Sequence, residues 1–182
     1  MNIAAIQEAN LHLALAAPCR SHEIPESADV YGWLIGSWEF DVLQHRAVDV
    51  SAQGLKGEIH FGWVLEGRAV QDVWIVPRRS ERTAETGKTH NMYGTTLRIW
   101  DAAIQAWRIR WINPVSCHFD EQIGRRIGSD IVQVGTRPDG TPTRWRYTKI
   151  TPDSFHWIGE SLLPDGQTWL LEAEFQAKRI HG

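Results

Sequence analysis

The feature that most constrains the fold is a strict alternation of apolar and cationic residues. Residues 107–111 read WRIRW, so indole and isoleucine side chains take the odd positions and guanidinium groups the even ones. A period of two is typical of a β-strand with one buried face, whereas a helix would repeat every three to four residues. The segment therefore predicts a strand whose tryptophans face the interior and whose Arg108 and Arg110 face water.

The same period continues from Ser37 almost to the end of the chain, interrupted by short segments rich in Pro, Asp and Gly, which are typical turn residues. Zipping neighbouring strands antiparallel brings apolar residues opposite one another. The predicted pairs are Val42–Ile59, Phe40–Phe61, Trp38–Trp63, Trp63–Val70, Ile59–Trp74, Ile99–Trp107, Leu97–Ile109, Thr95–Trp111, Val134–Trp145, Val132–Tyr147, Tyr147–Trp157, Gly159–Leu171 and Phe155–Phe175.

These hairpins predict an all-β fold, an up-and-down antiparallel closed β-barrel of about nine or ten strands, because closure removes the unpaired edges of such a sheet. A two-sheet sandwich is the alternative. Residues 1–30 are expected to form an N-terminal helix, from Asn2 to Ala17, and a linker, and residues 31–182 the barrel. Two segments look irregular, the polar loop from Pro77 to Asn91 and the stretch around residues 113–128.

Composition narrows the classes of partner. The formal charge of −3 implies no polyanionic partner, and the alternation separates arginines from aromatic rings, so the two cannot form one base-stacking surface for nucleic acid. No segment is long and apolar enough to span a membrane, and the N-terminus lacks the features of a signal peptide. With only two cysteines, far apart, a reduced cytoplasmic chain is expected. A homodimer is left open.

The ten tryptophans suggest much aromatic surface to bury or a cavity to line. By parity, the inner face carries large rings together with small residues and a few polar groups, as small-molecule sites do. The candidate ligand-binding residues on this face are Trp63, Asp72, Trp74, Tyr93, Thr95, Trp107, Trp111, Tyr147 and Trp157. The alternative is that these rings fill the barrel completely.

Asp72 is the candidate for acid–base chemistry, because a carboxylate enclosed by aromatic rings can have a perturbed pKa. The alternative is that Asp72 has no catalytic role. In that case a bulge turns it outward, or it accepts a structural hydrogen bond from the indole of Trp63 or Trp74. His90 and His118 could border an opening, but neither has the spacing of a metal ligand, so no metal site is expected.

The segment YGWLIGSWEFDV, residues 31–42, resembles the Gly-x-Trp opening of the calycin superfamily, which includes lipocalins, fatty-acid-binding proteins and nitrobindin-like barrels. The segments LIGSW, GRAVQDVW and LRIWDAAIQAWRIRWINP are similar to bacterial lipocalin-like proteins of the domain-of-unknown-function 1579 type. The resemblance implies a central cavity for a small, largely apolar ligand, with Trp38 plugging the closed end and the helix covering an end. No other cofactor is expected; haem, bound through a histidine in nitrobindin-like relatives, is a lesser alternative.

Three functions remain in competition. The first is a binding module that holds a small hydrophobic or aromatic molecule. The second is an enzyme in the same barrel, a cyclase, isomerase or hydratase, with Asp72 as general acid or base. The third is a structural or interaction role with a filled barrel.

Overall fold

A closed antiparallel barrel of ten strands forms the protein, as a computed structural model shows. The structure describes residues 10–84, 86 and 91–181. The strands are β1 (Ala16–Ala17), β2 (Gly36–His45), β3 (Val48–Asp49), β4 (Lys56–Val64), β5 (Ala69–Val76), β6 (Met92–Asp101), β7 (Ala106–Asn113), β8 (His118–Ile127), β9 (Asp130–Thr136), β10 (Pro142–Thr148), β11 (Ser154–Leu162) and β12 (Trp169–Arg179).

The barrel closes because β2 pairs with both β12 and β4, while every other long strand pairs with its neighbours in sequence. The short strands β1 and β3 are added at the ends of β4 and β2. This arrangement confirms the predicted all-β up-and-down barrel. The irregular stretch around residues 113–128 instead contains a regular strand, β8, so that expectation was wrong.

The alternation of β7 behaves as predicted. Trp107 and Ile109 are buried and Trp111 is half-buried on the inner face, while Arg108 and Arg110 are exposed. The pairing of β4 with β5 and of β10 with β11 is also confirmed, including Trp63 opposite Val70 and Tyr147 opposite Trp157.

Two predicted registers are wrong by one residue, and each error reverses a face. Trp111 lies opposite Thr96 rather than Thr95, and Trp145 lies opposite Gln133 rather than Val134. A turn of four residues, 102–105, replaces the expected five-residue loop between β6 and β7. Because side chains alternate, a one-residue slip exchanges the inner and outer faces of a strand.

Two other registers are shifted by an even number of residues. Trp38 lies opposite Ile59, and Phe155 lies opposite Ala177. An even shift keeps side chains on their expected faces, so the predicted burial of Trp38 and Phe155 holds although their partners differ. Between β11 and β12 this holds only as far as Gly159, because a bulge follows and sets Leu171 opposite Glu160 instead of Gly159.

The chain between β1 and β2, residues 18–35, closes one end of the barrel and is called the linker segment below. Two short 3-10 turns, Glu26–Ala28 and Gly32–Leu34, pack inside it, and Tyr31 and Leu34 are completely buried. Carbonyl oxygens of this segment accept hydrogen bonds from core indoles: Trp107 Nε1 donates to Ala28 at 2.8 Å, and Trp38 Nε1 donates to Leu34 at 2.7 Å.

The described part of the predicted helix contributes little to this closure. Residues 10–15 are helical and residues 10–14 are exposed, while residues 2–9 of the predicted helix lie outside the described residues. The end is therefore covered by the linker segment with Tyr31 and Leu34, and Trp38 packs beneath it. None of the helices in the described ranges is long and apolar enough to cross a membrane.

Position 57 requires glycine, because the ring of Phe40 on the opposite strand occupies the space of a side chain. A Cβ added at Gly57 would lie 2.1 Å from Cζ of Phe40, so the ring needs the space a side chain would take. We expect Gly57→Ala to lower the free energy of unfolding by about 1–3 kcal/mol, the usual cost of overpacking a core. Urea denaturation measures this. Gly62→Ala, on the outer face of the same strand with nothing within 4 Å, is the control and should not destabilise.

Candidate functional site: a tryptophan-lined cavity in the barrel

The barrel contains a cavity of about 480 Å³ that opens at the end opposite the linker segment. Its inner wall is aromatic. The rings that line it are Trp74, Trp111, Trp145, Tyr147, Trp157 and Phe175. The rings are mutually packed, since Trp157 stacks on Phe175 with centroids 5.1 Å apart, and Trp145 and Trp74 each lie 5.7 Å from Trp157. The alternative considered from the sequence, that the rings fill the barrel completely, is therefore wrong.

Small residues create the space. Gly159 and Ala173 lie opposite each other on β11 and β12, and both line the cavity. A Cβ at Gly159 would come within 2.8 Å of the Trp157 ring, so the glycine lets this indole lie against the wall.

Polar residues surround the mouth of the cavity. They come from the ends of β2 and β7, from the beginnings of β8 and β12, and from the segments that follow β2, β7 and β9 and precede β6. The polar lining residues at the mouth are His45, Arg46, Asn91, Asn113, Ser116, His118, Asp120, Arg137 and Glu172. Apolar walls with a polar opening favour a ligand that buries a flat apolar body and keeps a polar end near solvent.

Arg137 and Glu172 form a paired charge at this mouth. The guanidinium donates to both carboxylate oxygens, at 3.0 and 2.5 Å, and Ser161 Oγ donates to one of them. Hydrogen bonding to Glu172 is the main cause that raises the pKa of Arg137 above its ordinary value. The pair adds hydrogen-bonding groups without a large net charge.

Asp72 faces the interior as predicted, but it does not line the cavity. Its carboxylate is completely buried, accepts a hydrogen bond from the backbone N–H of Thr96 at 2.8 Å, and lies 2.5 Å from Nη1 of Arg98. Neither structural alternative considered from the sequence is present: there is no outward bulge, and the partner is an arginine rather than an indole.

The predicted pair Leu97–Ile109 implied that Arg98 faces water. In the structure Arg98 lies opposite Ile109 and is buried inside the barrel. Its guanidinium donates to Tyr147 Oη at 3.1 Å and lies over the rings of Tyr31 and Phe61 at 5.1 and 5.7 Å. Burial opposes the charged form of this group, but the adjacent carboxylate of Asp72 outweighs it, and the pKa of Arg98 is raised above its ordinary value. Arg98 also forms part of the cavity wall.

The predicted ligand-binding residues divide into three groups. Trp74, Trp111, Tyr147 and Trp157 line the cavity. Trp63, Asp72 and Trp107 are buried but do not line it. Tyr93 and Thr95 lie on the outer face of β6, so their predicted inward orientation was wrong, and Tyr93 is 40% exposed.

Sequence reasoning missed much of the polar side of the cavity, above all Asp120 and Arg137. The expectation that His118 borders an opening agrees with its place at the mouth, while His90 lies outside the described residues. One signal was present in β8: His118, Asp120 and Gln122 alternate with residues such as Phe119, which is exposed. This strand reverses the usual pattern and turns polar groups inward. Among the described residues, no three His, Cys, Asp or Glu side chains form a group suited to a metal ion.

Tyr31 gives the closed end a dependence on alkaline pH. Burial raises the pKa of Tyr31 to about 12, whereas a tyrosine in the unfolded chain ionises near pH 10. Between these values the unfolded state loses a proton that the folded state keeps, so the free energy of unfolding falls as pH rises from about 10 to about 12, and this contribution is fully present below pH 10. We expect Tyr31→Phe to show a shallower fall over that window in urea denaturation.

The control for this measurement is the same pair of proteins between about pH 8 and 9. The contribution of Tyr31 is fully present there, so the wild type and Tyr31→Phe should show equal slopes. Equal slopes for the wild type and Tyr31→Phe between about pH 10 and 12 would contradict the contribution assigned to Tyr31.

Comparisons with known proteins show the fold. No protein-family model matches the chain, and no curated protein sequence matches it. A solved structure, the S-type phycobiliprotein lyase CPES from Guillardia theta, is similar with a TM-score of 0.52 and 12% sequence identity, covering 86% of this chain and 93% of that chain. At this identity the likeness extends to the architecture alone: this protein and that lyase share the fold of a closed, up-and-down antiparallel barrel.

Proposed function

We propose that this barrel binds a small, planar and largely hydrophobic or aromatic molecule in its lumen. The observation that carries the proposal is the cavity of about 480 Å³, a volume within the range of small-molecule sites, whose inner wall is built from packed indoles. Trp74, Trp145 and Trp157 present wide apolar faces, on which a flat ring system can stack.

The polar mouth supports a ligand with one polar end. His118, Asp120 and the Arg137–Glu172 pair supply both donors and acceptors there. The similar barrel carries the name of a phycobiliprotein lyase, and a chromophore of the phycobiliprotein type is one ligand within the proposed class. The closer resemblance to lipocalin-like proteins of the domain-of-unknown-function 1579 type stays a prediction, as does a homodimer.

A cavity-blocking variant tests the proposal. Ala173 lies on the cavity wall, so Ala173→Phe places a ring in the lumen. We expect this variant to bind the fluorescent probe 1-anilinonaphthalene-8-sulfonate at least about tenfold more weakly than the wild type, equivalent to about 1.4 kcal/mol. Titration of probe fluorescence measures the affinity.

The matched control is Ala102→Phe. Ala102 is an exposed residue in the β6–β7 turn, at the far end of the barrel, and this variant should bind the probe as the wild type does. Equal affinity for all three proteins would contradict a site in the lumen. Native mass spectrometry of protein from its own host then identifies the retained molecule by its mass.

Haem is the lesser alternative ligand. His45 and His118 are the histidines that line the cavity within the described part of the chain. A Soret band in the purified protein would support haem, and a colourless preparation that takes up no added haem would contradict it.

A further inference from the structure

A histidine and a carboxylate form a pair at the cavity mouth. His118 and Asp120 are alternate residues of β8, so both side chains point to the lumen, and both line the cavity. Nε2 of His118 lies 2.7 Å from Oδ2 of Asp120. The Asp120 side chain is 3% exposed, whereas that of His118 is 41% exposed, so the carboxylate lies behind an accessible imidazole.

This arrangement fixes which nitrogen of the imidazole is basic. An ionised carboxylate can only accept a hydrogen bond, so Nε2 of His118 carries the proton that it donates to Asp120. The lone pair then lies on Nδ1. A carboxylate that orients a histidine in this way holds it in one tautomer and stabilises the imidazolium that forms when the ring takes up a proton.

The His118–Asp120 pair offers a titratable group that a molecule in the cavity can reach, whereas Asp72 does not. Asp72 is held by Arg98 and by the Thr96 backbone and does not line the cavity. His118 is half-exposed, lines the same cavity as the tryptophans, and has a buried partner. For acid–base chemistry on a molecule in the lumen, His118 is therefore better placed than Asp72.

We propose that His118 is a general base for a small aromatic molecule bound in the cavity, and that Asp120 is its positioning residue. The inference rests on the proposed function, because the tryptophan walls must first hold the substrate. The substrate class is a planar molecule with a weakly acidic C–H group beside an electron-withdrawing system. The proton moves from carbon to Nδ1 of His118, the electron pair moves to an electronegative atom of the substrate, and the imidazolium returns its proton to water.

The ring opening of 5-nitrobenzisoxazole tests this chemistry with a defined aromatic probe. A base removes the hydrogen on carbon, the carbon–nitrogen bond becomes a nitrile, the nitrogen–oxygen bond breaks, and the oxygen leaves as a coloured phenolate. No other reactant is needed. We expect the wild type to accelerate the reaction about a hundredfold or more over an equal concentration of free imidazole at the same pH, the usual contribution of a positioned base.

Three variants separate the roles. His118→Gln should reduce the rate to that of buffer alone. His60→Gln is the control, since His60 lies on the outer face with Ser37 and Arg79 as partners, and it should keep the wild-type rate. Asp120→Asn should lower the rate at least tenfold, and in the nitrogen NMR spectrum of His118 it should shift the proton from Nε2 toward Nδ1, an effect that a purely structural role would not produce.

The outcomes distinguish this inference from the proposed function. A nitroaromatic probe quenches tryptophan fluorescence when it binds among indoles. Saturable quenching without acceleration, or an unchanged rate in His118→Gln, would overturn the general base and leave the binding site standing. Neither quenching nor acceleration would count against both.

Discussion

Asp72→Ala should lower the free energy of unfolding by about 3–5 kcal/mol, because it leaves the guanidinium of Arg98 buried without its counter-charge. The Asp72 side chain is 0% exposed and that of Arg98 is 2% exposed, so water cannot replace the missing carboxylate without opening the barrel. Urea denaturation followed by tryptophan fluorescence measures the loss.

Two controls show whether the cost comes from the unpaired charge. The double variant Asp72→Leu with Arg98→Met removes both charges, and it should recover much of the stability that Asp72→Ala loses, since replacing a buried pair by apolar residues is often neutral. Glu121→Ala breaks an ion pair with Arg110 in which both side chains are more than 70% exposed, and it should change stability little. If Asp72→Ala is as stable as Glu121→Ala, the pair does not hold the interior together.

Trp38→Ala should cost about 3–5 kcal/mol of unfolding free energy, the usual effect of deleting a fully buried large ring. Trp38 is 0% exposed, donates to the Leu34 carbonyl, and contacts Phe155 with centroids 4.9 Å apart. The guanidinium of Arg179 lies 4.1 Å from its ring centroid. The ring therefore joins the linker segment to the barrel wall, and its deletion removes these contacts and leaves a cavity between them.

Trp145→Ala is the matched comparison, since Trp145 is a half-buried ring on the cavity wall. We expect a smaller loss of stability, together with a severalfold weaker affinity for 1-anilinonaphthalene-8-sulfonate. Trp38→Ala, studied at a urea concentration where it is still folded, should bind the probe nearly as the wild type does. Identical behaviour of the two variants in both measurements would contradict the division of the tryptophans into closed-end and cavity rings.

A register error of one residue in β6 explains why the sequence analysis misplaced the inner-face residues of that strand. The predicted register placed Leu97 and Thr95 on the inner face of β6, where the structure has Arg98 and Thr96. The partner of Asp72 therefore could not be foreseen. The turn between these strands could not be placed to one residue, because Asp101 both ends β6 and accepts from the backbone N–H of Ala103 within the turn. Local turn chemistry decided the register there, and hydrophobic pairing did not.

Alternation within one strand is a local property, and the sequence by itself determined it. The alternation in WRIRW predicted a strand with one buried face and one solvent-exposed face, and the repeated hairpins with short turns favoured a closed barrel over a two-sheet sandwich. The position of Asp72 on the inner face followed from the same local rule.

Which inner residues meet across the lumen was decided only by the tertiary structure. His118 and Asp120 reach the mouth of the same cavity as Arg137 because β8 and β9 are neighbours in a closed cylinder. Likewise, Arg98 meets Tyr31 only once the linker segment enters the barrel end. The physical reason is that charge pairing and ring packing depend on distances between strands far apart in sequence, and barrel closure and strand register together set those distances.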